Sequence, residues 1–90
     1  MDTIIKAKQL CLGYKRTGLV IKNASFNIYP KDFVFISGAS GSGKSTLLRS
    51  IYGNISVQEG ELSVLHSNMK KISSHKLMLL RRKMGIVFQD

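Results

Sequence analysis

Residues 33–46 read Phe-Val-Phe-Ile-Ser-Gly-Ala-Ser-Gly-Ser-Gly-Lys-Ser-Thr, and no other stretch restricts the fold as strongly. Phe33 to Ile36 has no polar break, which predicts a strand buried on both faces, as in a parallel sheet. Directly behind it, Gly38-Ala39-Ser40-Gly41-Ser42-Gly43-Lys44-Ser45 matches G-x-x-x-x-G-K-S/T without a gap. Glycines let a backbone turn with positive φ and approach a ligand without intervening side chains. Consecutive N–H groups in such a loop point inward as an anion nest. Leu47, Leu48, Ile51 and Tyr52 then fall at helical spacing. A helix starting near Lys44 adds its positive dipole end and first-turn N–H groups. Lys44 supplies a mobile point charge for outer phosphates. The Ser45 hydroxyl is a hard oxygen ligand suited to Mg²⁺. Strand, glycine loop and helix together make an α/β unit built to cradle phosphate. A Gly/Ser linker is the competing explanation, and it has no reason to sit between a buried strand and an amphipathic helix. The motif alone leaves ATPase, GTPase and kinase open.

The rest of the chain is ordered around that unit. Thr3 to Leu12 carries Ile, Leu and alternating Lys and reads as a strand. Gly13 to Gly18 is a polar loop. From Val20, Ala24, Phe26 and Ile28 alternate with Ser25 and Asn27, predicting a half-buried strand, and Tyr29 to Asp32 is a turn. Gly53 is placed to end the first helix as a C-terminal cap. Glu61 to Leu65 predicts a short strand. Ser73 or Ser74 can cap a second helix with Leu77, Leu80 and Met84 on one face. Gly85 to Phe88 reads as another buried strand, followed by Gln89-Asp90. A core strand with an uncovered edge is a poor place for a domain to stop. The expectation is therefore a fragment.

Charge and composition narrow the classes. Ninety residues suit at most one small domain. The formal charge of +9 raises nucleic acid, an anionic surface or a nucleotide as partner. The charge is spread out, and its densest cluster, Arg81-Arg82-Lys83, falls where it would offset a helix C-terminus. No aromatic residues interleave with it as a single-strand stacking platform would require, and a solvated basic face is the simpler reading. No apolar run approaches the roughly 20 residues that span a bilayer, and the N-terminus lacks a signal-peptide pattern, so the chain is expected to start in the cytosol. The single cysteine, Cys11, cannot form an internal disulfide and reads as a small buried hydrophobe. His66 and His75 have no acidic or thiol ligand at metal spacing.

Beyond the loop, "GYKRTGLVIKNASFNIYPKDFVFISGASGSGKSTLLRSIYGNISVQEGEL" resembles the opening block of the ABC-type ATPases. "LRRKMGIVFQD" is similar to the segment leading into that family's glutamine loop, so the resemblance covers residues 4–90. It implies the fold class α/β, a P-loop NTPase of the ABC type. Only the N-terminal part is expected: the antiparallel β subdomain plus the start of the parallel core sheet. Residues 1–90 would be one portion of one such domain, truncated after the glutamine-loop residue. The resemblance implies ATP and Mg²⁺ as cofactors. Gly38, Ala39, Ser40, Gly41, Ser42, Gly43, Lys44, Ser45 and Thr46 would then hold the phosphates. Tyr14 stands where the family stacks an aromatic on adenine. Ser45 and Gln89 stand where it contacts Mg²⁺. Lys31-Asp32 departs from the family's usual Gly-Glu and puts the local turn in question.

Within the family, "LRRKMGIVFQD" is most similar to the cell-division type. The resemblance implies an integral membrane partner and a peripheral place on the inner face of the cell membrane. Exporter and importer ATPases, and soluble ABC proteins acting on ribosomes or DNA, are the alternatives. A non-catalytic nucleotide-binding module is a further one. The family places ATP between two copies of the ATPase subunit. It supplies catalytic glutamate, signature and switch histidine from later segments, so these ninety residues are expected not to turn over ATP by themselves.

Overall fold

The computed structural model describes residues 3–32 and 42–88. Its frame is a four-stranded antiparallel sheet in the order β2-β1-β3-β4. The strands are β1 (Ile5–Tyr14), β2 (Gly18–Ile28), β3 (Glu59–Val64) and β4 (Ser67–Asn68). Among the described residues two longer helices, α1 (Ser42–Ile51) and α2 (Ser74–Val87), accompany it.

β1 is central, and its pattern explains why. Ile5 and Ala7 are buried at odd positions, Leu10 and Leu12 at even ones. A regular strand would turn one of these pairs away from the core, because side chains alternate faces. Between them the register against β2 jumps from Ala7↔Phe26 to Leu10↔Ala24, and Gln9 takes φ 49°. This bulge absorbs the extra residue and returns both pairs to one face. The Gln9 N–H, lost to the ladder, donates to Ser25 Oγ at 2.9 Å. On the β3 side the same irregularity separates Lys8↔Glu61 from Cys11↔Glu59. Gly60 fills the gap at φ +83°, and any Cβ there would fall on the Gln9 carbonyl.

Leu62 and Val64 of β3 join Ile5, Leu10, Leu12 and Ile28 in the core, with Leu47 and Ile51 of α1 and Leu80 and Met84 of α2. Cys11 is buried, as expected, but it lies outside that cluster and is paired with Asn23. The Asn23 N–H donates to its Sγ, and the thiol faces Asn23 Oδ1, both at 3.4 Å.

The α1 terminus follows the expectation at Gly53. Asn54 N donates to Arg49 O at 2.7 Å and Gly53 N to Ser50 O at 3.1 Å, with Gly53 at φ +78°. These are the two closing bonds of a glycine-capped helix end. Ser73 caps α2, its Oγ accepting from Lys76 N at 3.2 Å. The expected turn at Tyr29–Asp32 is a helical one, Pro30 to Asp32: Asp32 N donates to Tyr29 O at 2.9 Å, and Tyr29 N donates to Asp32 Oδ2 at 3.3 Å. The Lys31-Asp32 departure is therefore accommodated, because the aspartate closes the turn itself.

Two expectations are corrected. Gly85 to Phe88 is not a buried strand. α2 runs through Val87, and Phe88 N donates to Met84 O at 2.9 Å. A glycine inside a helix costs about 1 kcal/mol. Here fully buried Met84 and partly buried Phe88, four residues apart, lie on one helix face and hold the last turn against the core. The Arg81-Arg82-Lys83 cluster consequently lies inside α2 rather than at its end. Arg81 instead serves α1: Nε donates to Tyr52 O at 2.9 Å and Nη2 to Asn54 Oδ1 at 3.3 Å. The run Phe33–Ile36 lies outside the described residues.

Candidate functional site

The site is assembled where the end of β1 meets the start of α1. Gly38, Ala39, Ser40 and Gly41 lie outside the described residues, as does Gln89. Ser42 opens α1, and Gly43, Lys44, Ser45 and Thr46 follow on its first turns. The sequence sets this start by what it leaves out. No acidic residue occupies the first turn of α1, so its positive end is not neutralised by its own side chains. Lys44 and Ser45 are exposed, while Thr46 and Leu47 are buried. The helix therefore turns its apolar side to the sheet and presents a hydroxyl and an ammonium side by side. A Cβ at Gly43 would meet no atom of the described residues within 4 Å.

Tyr14 ends β1, paired with Gly18 across the hairpin. Its hydroxyl lies 3.3 Å from Thr46 Oγ1, and either group can donate. Arg49 Nη1 donates to the same Tyr14 oxygen at 2.9 Å. The guanidinium carbon is 5.9 Å from the ring centroid, at the outer limit of cation–π range. Arg49 therefore binds the ring at its hydroxyl and lies over it only at that long range. The Thr46 hydrogen bond, with Arg49's hydrogen bond and charge, holds the Tyr14 phenol below its usual value against an opposing desolvation effect. A cavity of about 170 Å³ opens beside the ring, lined by Gly13, Tyr14, Lys15, Gly18, Leu19 and Gln58.

Tyr14 and Thr46, 32 positions apart, are thus brought together with Arg49. Sequence reasoning missed Arg49. The available signal was its place three residues after Thr46, on the same helix face, and it had meaning only once Tyr14 was known to lie there. The fit to a magnesium nucleotide rests on donor chemistry: a hydroxyl for a hard cation, an ammonium for phosphate oxygens, and a helix start free of acids. Among the described residues no group of three or more His, Cys, Asp or Glu could hold a metal ion by itself. No described helix is long and apolar enough to cross a membrane.

Comparison with known proteins bears on the same region. The family described as ABC transporter matches residues 21–90. The cell division ATP-binding protein FtsE of Streptococcus pneumoniae serotype 2 (strain D39) is 38% identical over 88 residues, covering 98% of this chain and 38% of that protein. FtsE of Bacillus subtilis (strain 168) is 32% identical over 87 residues, covering 97% and 38%. The phosphonates import ATP-binding protein PhnC of Fusobacterium nucleatum is 34% identical over 90 residues, covering 100% and 36%. The chain spans less than two-fifths of the length of these relatives. Because the family match takes in most of the chain, including the glycine loop and α1, the chain belongs to the ABC transporter family and has the fold class of its P-loop ATPase domain.

Proposed function

We propose that these residues are the N-terminal portion of the ATP-binding subunit of a membrane-associated ABC complex, of the FtsE type that drives an FtsX-like membrane protein. The observation that carries the reading is the exposed Lys44–Ser45 pair at the acid-free start of α1, with Tyr14 fastened beside it. In this reading Gly38 to Thr46 wrap the phosphates. Lys44 neutralises the outer ones, and Tyr14 offers a ring face to adenine. Ser45 and Gln89 would hold Mg²⁺, which when bound neutralises phosphate charge. The subunit is cytoplasmic and peripheral on the inner face of the cell membrane, and pairs with a second copy on binding ATP. Turnover requires groups beyond residues 1–90, because phosphoryl transfer depends on the joint placement of several charged parts.

An importer ATPase is the second reading, favoured by the likeness to PhnC along the whole chain. Lys44→Ala in the full-length protein tests the common core of both. It should nearly abolish ATP hydrolysis at saturating ATP, and a rate equal to the parent's refutes the nucleotide reading. Depletion in the source cell separates the two. Filamentation or septation defects with normal solute uptake support the cell-division reading, and loss of uptake with normal division supports the importer.

A further inference from the structure

We propose that Arg49 is a positioning residue for base recognition: it locks the Tyr14 ring against α1, so that the aromatic face and the phosphate-binding helix turn are held as one unit. The inference rests on the reading of Tyr14 as the base-stacking residue and extends it to a residue outside the glycine-loop motif.

Three observations carry it. First, the Tyr14 oxygen receives a charge-assisted hydrogen bond from Arg49 Nη1 at 2.9 Å, a full-strength distance. Second, the same oxygen lies within 3.3 Å of Thr46 Oγ1, so the ring is held at two points on successive turns of α1. Third, the guanidinium carbon stands over the ring but 5.9 Å from its centroid, too far for close stacking. The grip at the hydroxyl restrains the ring and leaves the face away from Arg49 for another planar group. The Tyr14 side chain ends a strand beside a polar hairpin turn, Lys15 to Thr17, and Lys15 is exposed. Without the grip, that ring would sample its rotamers in solvent and lose entropy whenever a base stacked on it. Arg49 itself is exposed and contributes nothing to the buried core. Its removal is therefore separable from folding.

The arrangement makes base affinity and phosphate affinity distinguishable. Arg49 acts through Tyr14, so its loss weakens nucleotides and spares a ligand without a base. The test is calorimetric titration of the full-length protein with MgATP and with magnesium tripolyphosphate. Arg49→Met is expected to weaken MgATP by about five- to tenfold, the range of one net hydrogen bond, and to leave tripolyphosphate within about twofold. Tyr14→Phe, which keeps the ring and loses the grip, should give a similar loss. The double variant Tyr14→Phe/Arg49→Met should be no weaker than either alone, because both remove the same interaction. Arg49→Lys should recover part of the affinity. The inference is overturned by equal losses for both ligands, by fully additive losses in the double variant, or by unchanged MgATP affinity in Arg49→Met. Tyr14→Ala separates the two levels. If it spares MgATP in a protein that binds tripolyphosphate, the base reading and this inference both fall. If it weakens MgATP while Arg49→Met does not, the inference falls alone.

Discussion

The Tyr14 hydroxyl and Thr46 Oγ1 lie 3.3 Å apart, joining the end of β1 to the start of α1. That bond is the largest cause holding the phenol below its ordinary value of 10.0, ahead of Arg49. The sign of the linkage follows. Below the folded-state value, Tyr14 is neutral both folded and unfolded and contributes no pH dependence. As pH rises through that value the native state releases its proton first, so stability increases, and the gain is complete above the unfolded value. As pH falls back through the folded value, the gain is lost. Spectroscopic titration of the full-length protein should show tyrosinate forming below pH 10 in one step that Tyr14→Phe removes. Thr46→Val should move the step toward 10. A parent with no such step contradicts the hydrogen bond.

Gly60 is expected to be the least replaceable described glycine. Its φ of +83° is unfavourable to any L side chain, and the added Cβ would fall on the backbone of Gln9. Strain of that kind costs about 1–3 kcal/mol before the collision between strands is added. Gly60→Ala should therefore destabilise the intact protein by about 3 kcal/mol or more, measured by denaturant unfolding. A loss under about 1 kcal/mol would mean that β1 and β3 separate there easily.

Arg81 and the end of α1 give a milder expectation. The Arg81 guanidinium satisfies the Tyr52 carbonyl and the Asn54 side chain from a different helix. It is exposed, so Arg81→Met should cost only about 0.5–1 kcal/mol. Arg82→Met, which removes no such bond among the described residues, is the control. Equal effects of the two variants would show that net charge, not the cap, is what matters.

Local chemistry was the legible part of this fold. Gly53 and Ser73 announce helix ends because capping needs a particular backbone or hydroxyl at one position. The Ala24-Phe26-Ile28 alternation announces a half-buried strand because the side-chain period is fixed. What stayed hidden depends on partners distant in sequence. The Gln9 bulge appears only as a change of parity between Ala7 and Leu10, which makes sense once β1 is known to be central. Gly85 to Phe88 misleads because a short apolar run fits a buried strand and a helix turn equally well. The glycine loop advertised the phosphate chemistry in one dimension, but nothing in the sequence pairs Tyr14 with Arg49. That contact exists because the hairpin end of β1 and the flank of α1 meet at the same end of the sheet.

The outer face of α2 sets the last expectation, for residues 1–90 produced as a separate polypeptide. Leu79 and Ile86, seven positions apart, project in the same direction, away from Leu80 and Met84. They are 46% and 75% exposed, and Met78 and Val87 flank them at 44% and 39%. Surface apolar residues scattered singly need no partner, but a stripe along two turns is a site of association. Burying each such side chain is worth about 1.5–3 kcal/mol at most, against a typical domain stability of about 5–15 kcal/mol. Two copies can therefore gain a substantial fraction of a domain's stability by covering this stripe. The separate polypeptide should self-associate at micromolar concentration, melt without a sharp transition, bind ATP weakly and show no hydrolysis above background. Leu79→Lys/Ile86→Lys should reduce the association, since both positions face solvent and neither supports the core. Light scattering with calorimetry decides the matter: a monomer that melts sharply and reversibly would show that the α2 stripe is tolerated in water and that these ninety residues form a stable unit by themselves.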